Sequence, residues 1–209
     1  PSYLTEKMNY NKTYRLIPVD LCKYALEKKM SSTVQIYIYL PEMLKQQLHK
    51  LINVFLDEKR FVGCGGLEIT DEIKVTIAAQ ACVLLLNRKT NFYRRLKTIY
   101  VYPHTYVASG KEYGGGLIIE GKSVRLGESW QNGPVVLAWD SIVGGARNVH
   151  DGRNVVVHEF AHQLDQEDGD ADGAPILENR SCYRSWAAVL GAEYEQLRQK
   201  GYRSVINQY

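Results

Sequence analysis

At 209 residues with 45% hydrophobic content, the chain is long enough to bury one good core, and nothing in its length demands a second domain. Its net charge of +3 is modest; Arg94–Lys97 and Lys122–Arg125 read as solvated edges, so nucleic acid is not an expected partner. No apolar run reaches transmembrane length and the opening PSYLTEKMNYNKTYRL has no signal-type apolar region, so no membrane association is expected.

In chain order the periodicities predict an α+β arrangement. The first forty residues form a peripheral segment, with one strand over Val34–Leu40. Pro41–Arg60 is a helix with Leu44, Leu48, Leu51, Ile52 and Phe55 on one stripe. Asp71–Asn87 is a second, with Asp71 as N-cap and Ile73, Ile77, Ala81 and Leu84 facing the core. Strand-like runs then cluster between Thr98 and Trp139: TIYVYPHTYVA, GLIIEG, VRLGES and PVVLAW. Gly114-Gly115-Gly116 lacks the Lys-Ser/Thr of a phosphate loop and reads as a hairpin turn. A buried helix then runs to about Gln166. After an Asp/Gly loop, a last helix over Ser181–Lys200 places Trp186, Leu190, Tyr194 and Leu197 in phase. Helices, sheet, helices is the order of a zincin-like domain, with a mixed sheet and a central motif helix flanked by packed helices.

The motif is H-E-x-x-H, formed by His158, Glu159 and His162 within NVVVHEFAHQLDQ. Residues four apart share a helix face, so both imidazoles reach one metal ion while Glu159 projects beside it. Val155, Val156, Val157, Phe160, Ala161 and Leu164 interleave with them, and three polar groups in so apolar a helix are costly to bury without a metal partner. A catalytic zinc takes three protein ligands and keeps a fourth position for water. Glu159 follows His158 too closely to share its ligand direction, which suits it to be the general base. Peptide-bond hydrolysis is the reaction class that follows.

The third ligand stays open. Asp165 replaces the glycine of H-E-x-x-H-x-x-G-x-x-H, and Asp168 stands where the last histidine belongs. Asp168 is one candidate, His150 is another if its loop folds back, and a Glu on a separate downstream helix is a third. Asp168-x-Asp170-x-Asp172-Gly173 matches the first half of a calcium loop, but Asn179 holds the place of the bidentate Glu; a plain acidic turn is expected, not Ca2+. His49 and His104 read as structural or solvent-facing. Cys22, Cys64, Cys82 and Cys182 form no C-x-x-C pair and suit free thiols in a reducing cytosol.

The segment DGRNVVVHEFAHQLDQEDGDADGAP, Asp151–Pro175, resembles the zinc peptidases of the Mlc titration factor A family, whose catalytic core is also similar to that of anthrax lethal factor. Arg60–Leu86, Ile99–Pro103 and Gly133–Asn148 are similar to the same family, and the resemblance covers roughly residues 41–209. It implies a cytoplasmic bacterial metallopeptidase with aminopeptidase-like activity and, in enterobacterial members, an interaction with the glucose-responsive repressor Mlc. By position it makes His158 and His162 the first two zinc ligands and Glu159 the base. It places the third ligand, in gluzincin fashion, on a Glu beyond Tyr209, and it gives Tyr209 the stabilisation of the tetrahedral oxyanion. Pro1 is not an initiator Met, which is compatible with an upstream leader or tag.

The reading is therefore a single zincin-like domain over residues 1–209, acting on peptide substrates with zinc. The alternative is a non-catalytic module that binds and sequesters a transcriptional repressor. Zincins lay substrate along a sheet edge, and Pro134–Trp139 is the candidate edge strand.

Overall fold

The computed structural model describes residues 34–88, 92–114, 117–125, 127–129, 133–169, 173–177 and 179–200, with backbone alone at 106–114, 117–125, 127–129, 197 and 200. The expected strand over Val34–Leu40 is instead a single helical turn, α1, Gln35–Ile38. Val34 and Tyr37 are both buried at helical spacing, and the Tyr37 hydroxyl lies 3.0 Å from His49 Nε2 on the next helix. That contact overrides the local preference of a β-branched and aromatic run. It also makes His49 structural.

Helix α2, Glu42–Glu58, follows Pro41 at its N-cap and buries Leu48, Leu51, Ile52 and Phe55 as one stripe. Strand β1, Arg60–Gly63, leads on to α3, Asp71–Val83. The N-cap of α3 is Thr70 and not Asp71: Thr70 Oγ1 accepts from Ile73 N–H at 3.3 Å. Asp71 sits instead in the first turn, where its charge meets the positive end of the helix dipole. The helix also stops four residues earlier than expected, because Leu84–Asn87 form a turn that Asn87 closes at φ 55°. Ile73, Ile77, Ala78, Ala81 and Cys82 are buried, so α3 runs through the interior.

The main sheet has the order β1-β2-β6-β5, with β2 at Thr98–Tyr102, β5 at Gly127–Ser129 and β6 at Val135–Ala138. β1, β2 and β6 are parallel and β5 is antiparallel to β6. Alternation puts Ile99, Val101, Val135 and Leu137 on the buried side, and the register Ile99↔Val135, Val101↔Leu137 sets them side by side. Pro103 ends β2, so the run TIYVYPHTYVA is two strands rather than one. Its second half begins β3, Tyr106–Gly114, which pairs with β4, Leu117–Arg125, as a separate antiparallel ribbon. Gly114 faces Leu117 across the tip of that ribbon, the position expected of the glycine-rich turn; residues 115 and 116 lie outside the described residues. Pro134–Trp139 was expected at the edge, but β6 is hydrogen-bonded on both sides. The edge strands among the described residues are β1 and, next to β6, β5.

Three helices complete the described chain: α4, Trp139–Arg147, α5, Val155–Asp165, and α6, Arg180–Lys200. Helix α5 carries the motif and packs against β5, β6, α3 and α4. Behind it Phe160 meets Tyr93 at 4.9 Å and Phe55 at 5.6 Å between ring centroids. Phe92 and Tyr93 hold left-handed backbone at φ 51° and 52°, a costly conformation for aromatic residues. Burial of both rings, the bond from Tyr93 Oη to Ala81 O at 2.6 Å and that from Lys59 Nζ to Tyr93 O at 2.9 Å fix it. Helix α6 carries Trp186, Leu190 and Tyr194 in phase, as expected. Trp186 is partly buried, but Val189, Leu190 and Tyr194 are 62%, 44% and 59% exposed. The whole is a set of helices around a small, mostly parallel sheet, an α+β arrangement. No helix among the described residues is long and apolar enough to cross a membrane.

Candidate metal centre

The start of α5 is fixed before its histidines appear. Asn154, its N-cap, accepts from Val157 N–H at 2.9 Å and donates through Nδ2 to Gln80 Oε1 at 2.9 Å and to Gly145 O at 3.4 Å. Gln80 is itself buried on α3 and donates to Thr76 O at 3.1 Å. A Cβ on Gly145 would come within 2.6 Å of Arg153 O, so α4 approaches the helix start as only glycine allows. Asn154→Ala should cost about 1–2 kcal/mol, since it removes a cap and leaves Gln80 short of a partner. Urea unfolding midpoints check this; a loss within error of zero would remove the cap from the account.

Four residues on from this cap, His158 and His162 bring their Nε2 atoms to 3.2 Å, with ring planes at 89°. Burial, and next the neighbouring His162, hold the His158 imidazole below its ordinary range, which favours the neutral form that a metal requires. Two nitrogens at Zn–N distances of about 2.0–2.1 Å and a tetrahedral angle stand about 3.3 Å apart. The observed pair therefore fits zinc as two of its ligands. Glu159 lies beside them on the helix, 6% exposed.

That cleft holds about 920 Å³. Its far wall is the segment 173–177, tied down by bonds from Trp186 Nε1 to Gly173 O at 3.0 Å and from Leu177 N–H to Tyr183 Oη at 3.1 Å. Arg88 reaches Ile176 O at 3.4 Å, and Asp165 Oδ1 accepts from Gly173 N–H at 2.7 Å. Arg95 donates to Gln166 O at 3.0 Å and closes the other end of α5, which stops at Asp165 much as expected.

Other candidates fall away from the pair. Among the described residues no third His, Cys, Asp or Glu joins the two imidazoles, so Asp168, which is exposed, does not complete a site. His150 is exposed and its backbone N–H donates to Asn148 Oδ1 at 3.0 Å. His104 faces solvent and meets Asp140 at 3.5 Å. Cys64, Cys82 and Cys182 form no disulfide among the described residues. Asp170, Asp172, Cys22 and Tyr209 lie outside the described residues, and with them two of the three aspartates of the calcium-like loop.

A helix carrying H-E-x-x-H, with both imidazoles turned to one cleft above a small sheet, is the arrangement of the metal-dependent peptidases. The chain belongs to the glucose-regulated metallo-peptidase M90 family, whose profile matches residues 9–209. It is 42% identical over 163 residues to an uncharacterized protein of Synechocystis sp., covering 77% of this chain and 59% of that one. It is 34% identical over 169 residues to the Mlc titration factor A of Klebsiella pneumoniae, covering 80% of this chain and 63% of that protein. Against the protein of the same name from Escherichia fergusonii the figures are 32% over 158 residues, 74% and 58%. The chain thus spans about three fifths of the length of these relatives, and the family resemblance drawn from the sequence holds.

Proposed function

We propose that this chain carries the catalytic part of a zinc-dependent, aminopeptidase-like peptidase with a zincin-like domain formed by residues 1–209. The observation that carries the reading is the 3.2 Å separation of the two Nε2 atoms on one face of a capped, buried-backed helix. His158 and His162 would hold zinc, with the third ligand a Glu downstream of residue 209, as the family resemblance implies. Zinc supplies Lewis acidity and a water acidified to a pKa of about 7. Glu159 takes the proton from the attacking water and returns it to the departing amine. Tyr209 donates to the oxyanion that develops on the peptide carbonyl. The peptide lies along β5, whose outer edge has no strand beside it among the described residues, beside the helix that carries both histidines.

A cytoplasmic location belongs to the same reading, and thiols at Cys64, Cys82 and Cys182 outside any disulfide are in keeping with it. Ca2+ has no role in this reading. The test is hydrolysis of aminoacyl anilides by full-length protein with and without chelator. Activity should vanish on chelation and return with zinc. His158→Ala and His162→Ala should each lose stoichiometric zinc on metal analysis; full retention in either variant counts against the ligand assignment.

A second reading is favoured by the relatives named Mlc titration factor A: the protein binds and sequesters a transcriptional repressor similar to Mlc, with or without hydrolysis. The exposed apolar residues Val189, Leu190 and Tyr194 on α6 are the surface that would serve it. A catalytically dead variant that still captures such a repressor would separate binding from hydrolysis.

A further inference from the structure

Asp165 is three residues beyond His162 and seven beyond His158, so all three share one face of α5. The three side chains also line the same cleft. Asp165 does not group with the imidazoles as a metal donor, so its carboxyl stands in the substrate space one turn along from His162 and two from His158. Its Oδ1 accepts the Gly173 N–H at 2.7 Å. A carboxylate offers about four acceptor sites, and that bond uses one. The other permanent charge in the cleft, Arg88, is held by Ile176 O at 3.4 Å and by Glu167 at 4.0 Å. Around these groups the wall is apolar, with Leu84, Leu164, Pro175, Ile176 and the ring of Trp186.

We propose that Asp165 anchors the free, protonated amino terminus of the peptide substrate, and that the apolar wall takes its first side chain. The proposal rests on the peptidase reading above and names its substrate class. In a peptide the α-nitrogen is separated from the reacting carbonyl carbon by one Cα, about 2.5 Å across. A carboxylate about 5–6 Å along the helix from His162, measured between Cβ atoms, is placed to meet an ammonium while the carbonyl lies at the histidines. An ammonium–carboxylate hydrogen bond is charge-assisted and roughly twice as strong as a neutral one, so it selects an unblocked terminus. The same carboxylate holds Gly173, so the bond that fixes the cleft wall also fixes the anchor.

Asp165→Asn tests this, because Asn keeps an oxygen for the Gly173 N–H while the charge is lost. In the zinc-loaded full-length protein, the kcat/KM ratio for leucine anilide over its N-acetylated form should fall about tenfold or more in the variant, chiefly through KM. As a readout independent of turnover, metal-free protein titrated with leucinamide and N-acetyl-leucinamide should prefer the free amine, and D165N should abolish the preference. Hydrolysis by a folded D165N with an unchanged ratio overturns the anchor and leaves the peptidase reading standing. Asp165-dependent leucinamide binding without hydrolysis sustains the anchor and sinks the peptidase reading. No preference for the free amine in either assay overturns the anchor.

Discussion

Glu159→Gln in the full-length protein should keep its zinc and lose turnover by at least about a hundredfold, the typical contribution of a positioned general base. Glutamine preserves the length and hydrogen-bonding capacity of the side chain but cannot accept a proton at neutral pH. Glu159 is 6% exposed on a helix whose two neighbouring imidazoles face the cleft, so the substitution removes the base and leaves both donors in place. Metal content and kcat measured on the same preparation separate the two effects. Unchanged turnover removes the assigned role; lost zinc together with lost turnover makes the residue part of the metal's support instead.

Phe160→Ala should cost about 3–5 kcal/mol of stability. The ring lies inside the motif itself, fully buried, and completes a triangle with Tyr93 and Phe55. Its loss leaves a cavity that rigid neighbours cannot close, since Tyr93 is pinned by bonds at both its hydroxyl and its carbonyl. Phe160→Leu should cost less, because it refills part of that volume. Urea unfolding with chelator present keeps metal binding from masking the difference. A loss below about 1 kcal/mol for the alanine variant would mean that the helix is not held from behind by this cluster.

The local pattern was enough to read the helices at Glu42–Glu58 and Val155–Asp165, because their apolar spacing agrees with what the tertiary structure buries. The two imidazoles were legible for the same reason: a spacing of four has only one geometric meaning on a helix. Asn154 was legible too, as an Asn immediately before an apolar run, though it was not singled out. What the pattern did not carry were long-range facts. The single turn at Gln35–Ile38 depends on a hydroxyl–imidazole contact twelve residues away. The interior place of β6 depends on β5, three residues that the sequence joins to the end of β4 in the single run VRLGES. The left-handed Phe92–Tyr93 pair has no glycine or asparagine to signal it, and only the packing around both rings makes it tenable. Trp186, Leu190 and Tyr194 were in phase, yet phase alone does not say what lies opposite.

The brevity of β5 has a colloidal side. An unpaired strand edge is a template for joining sheets of separate molecules, and proteins blunt such edges by keeping them short. Three described residues, Gly127–Ser129, paired on one side with β6, offer few backbone bonds for sheet-to-sheet fusion. In the proposed substrate path, this edge would grip a peptide through few backbone bonds and so only transiently. Lengthening it to tighten substrate binding would be expected to trade solubility for affinity.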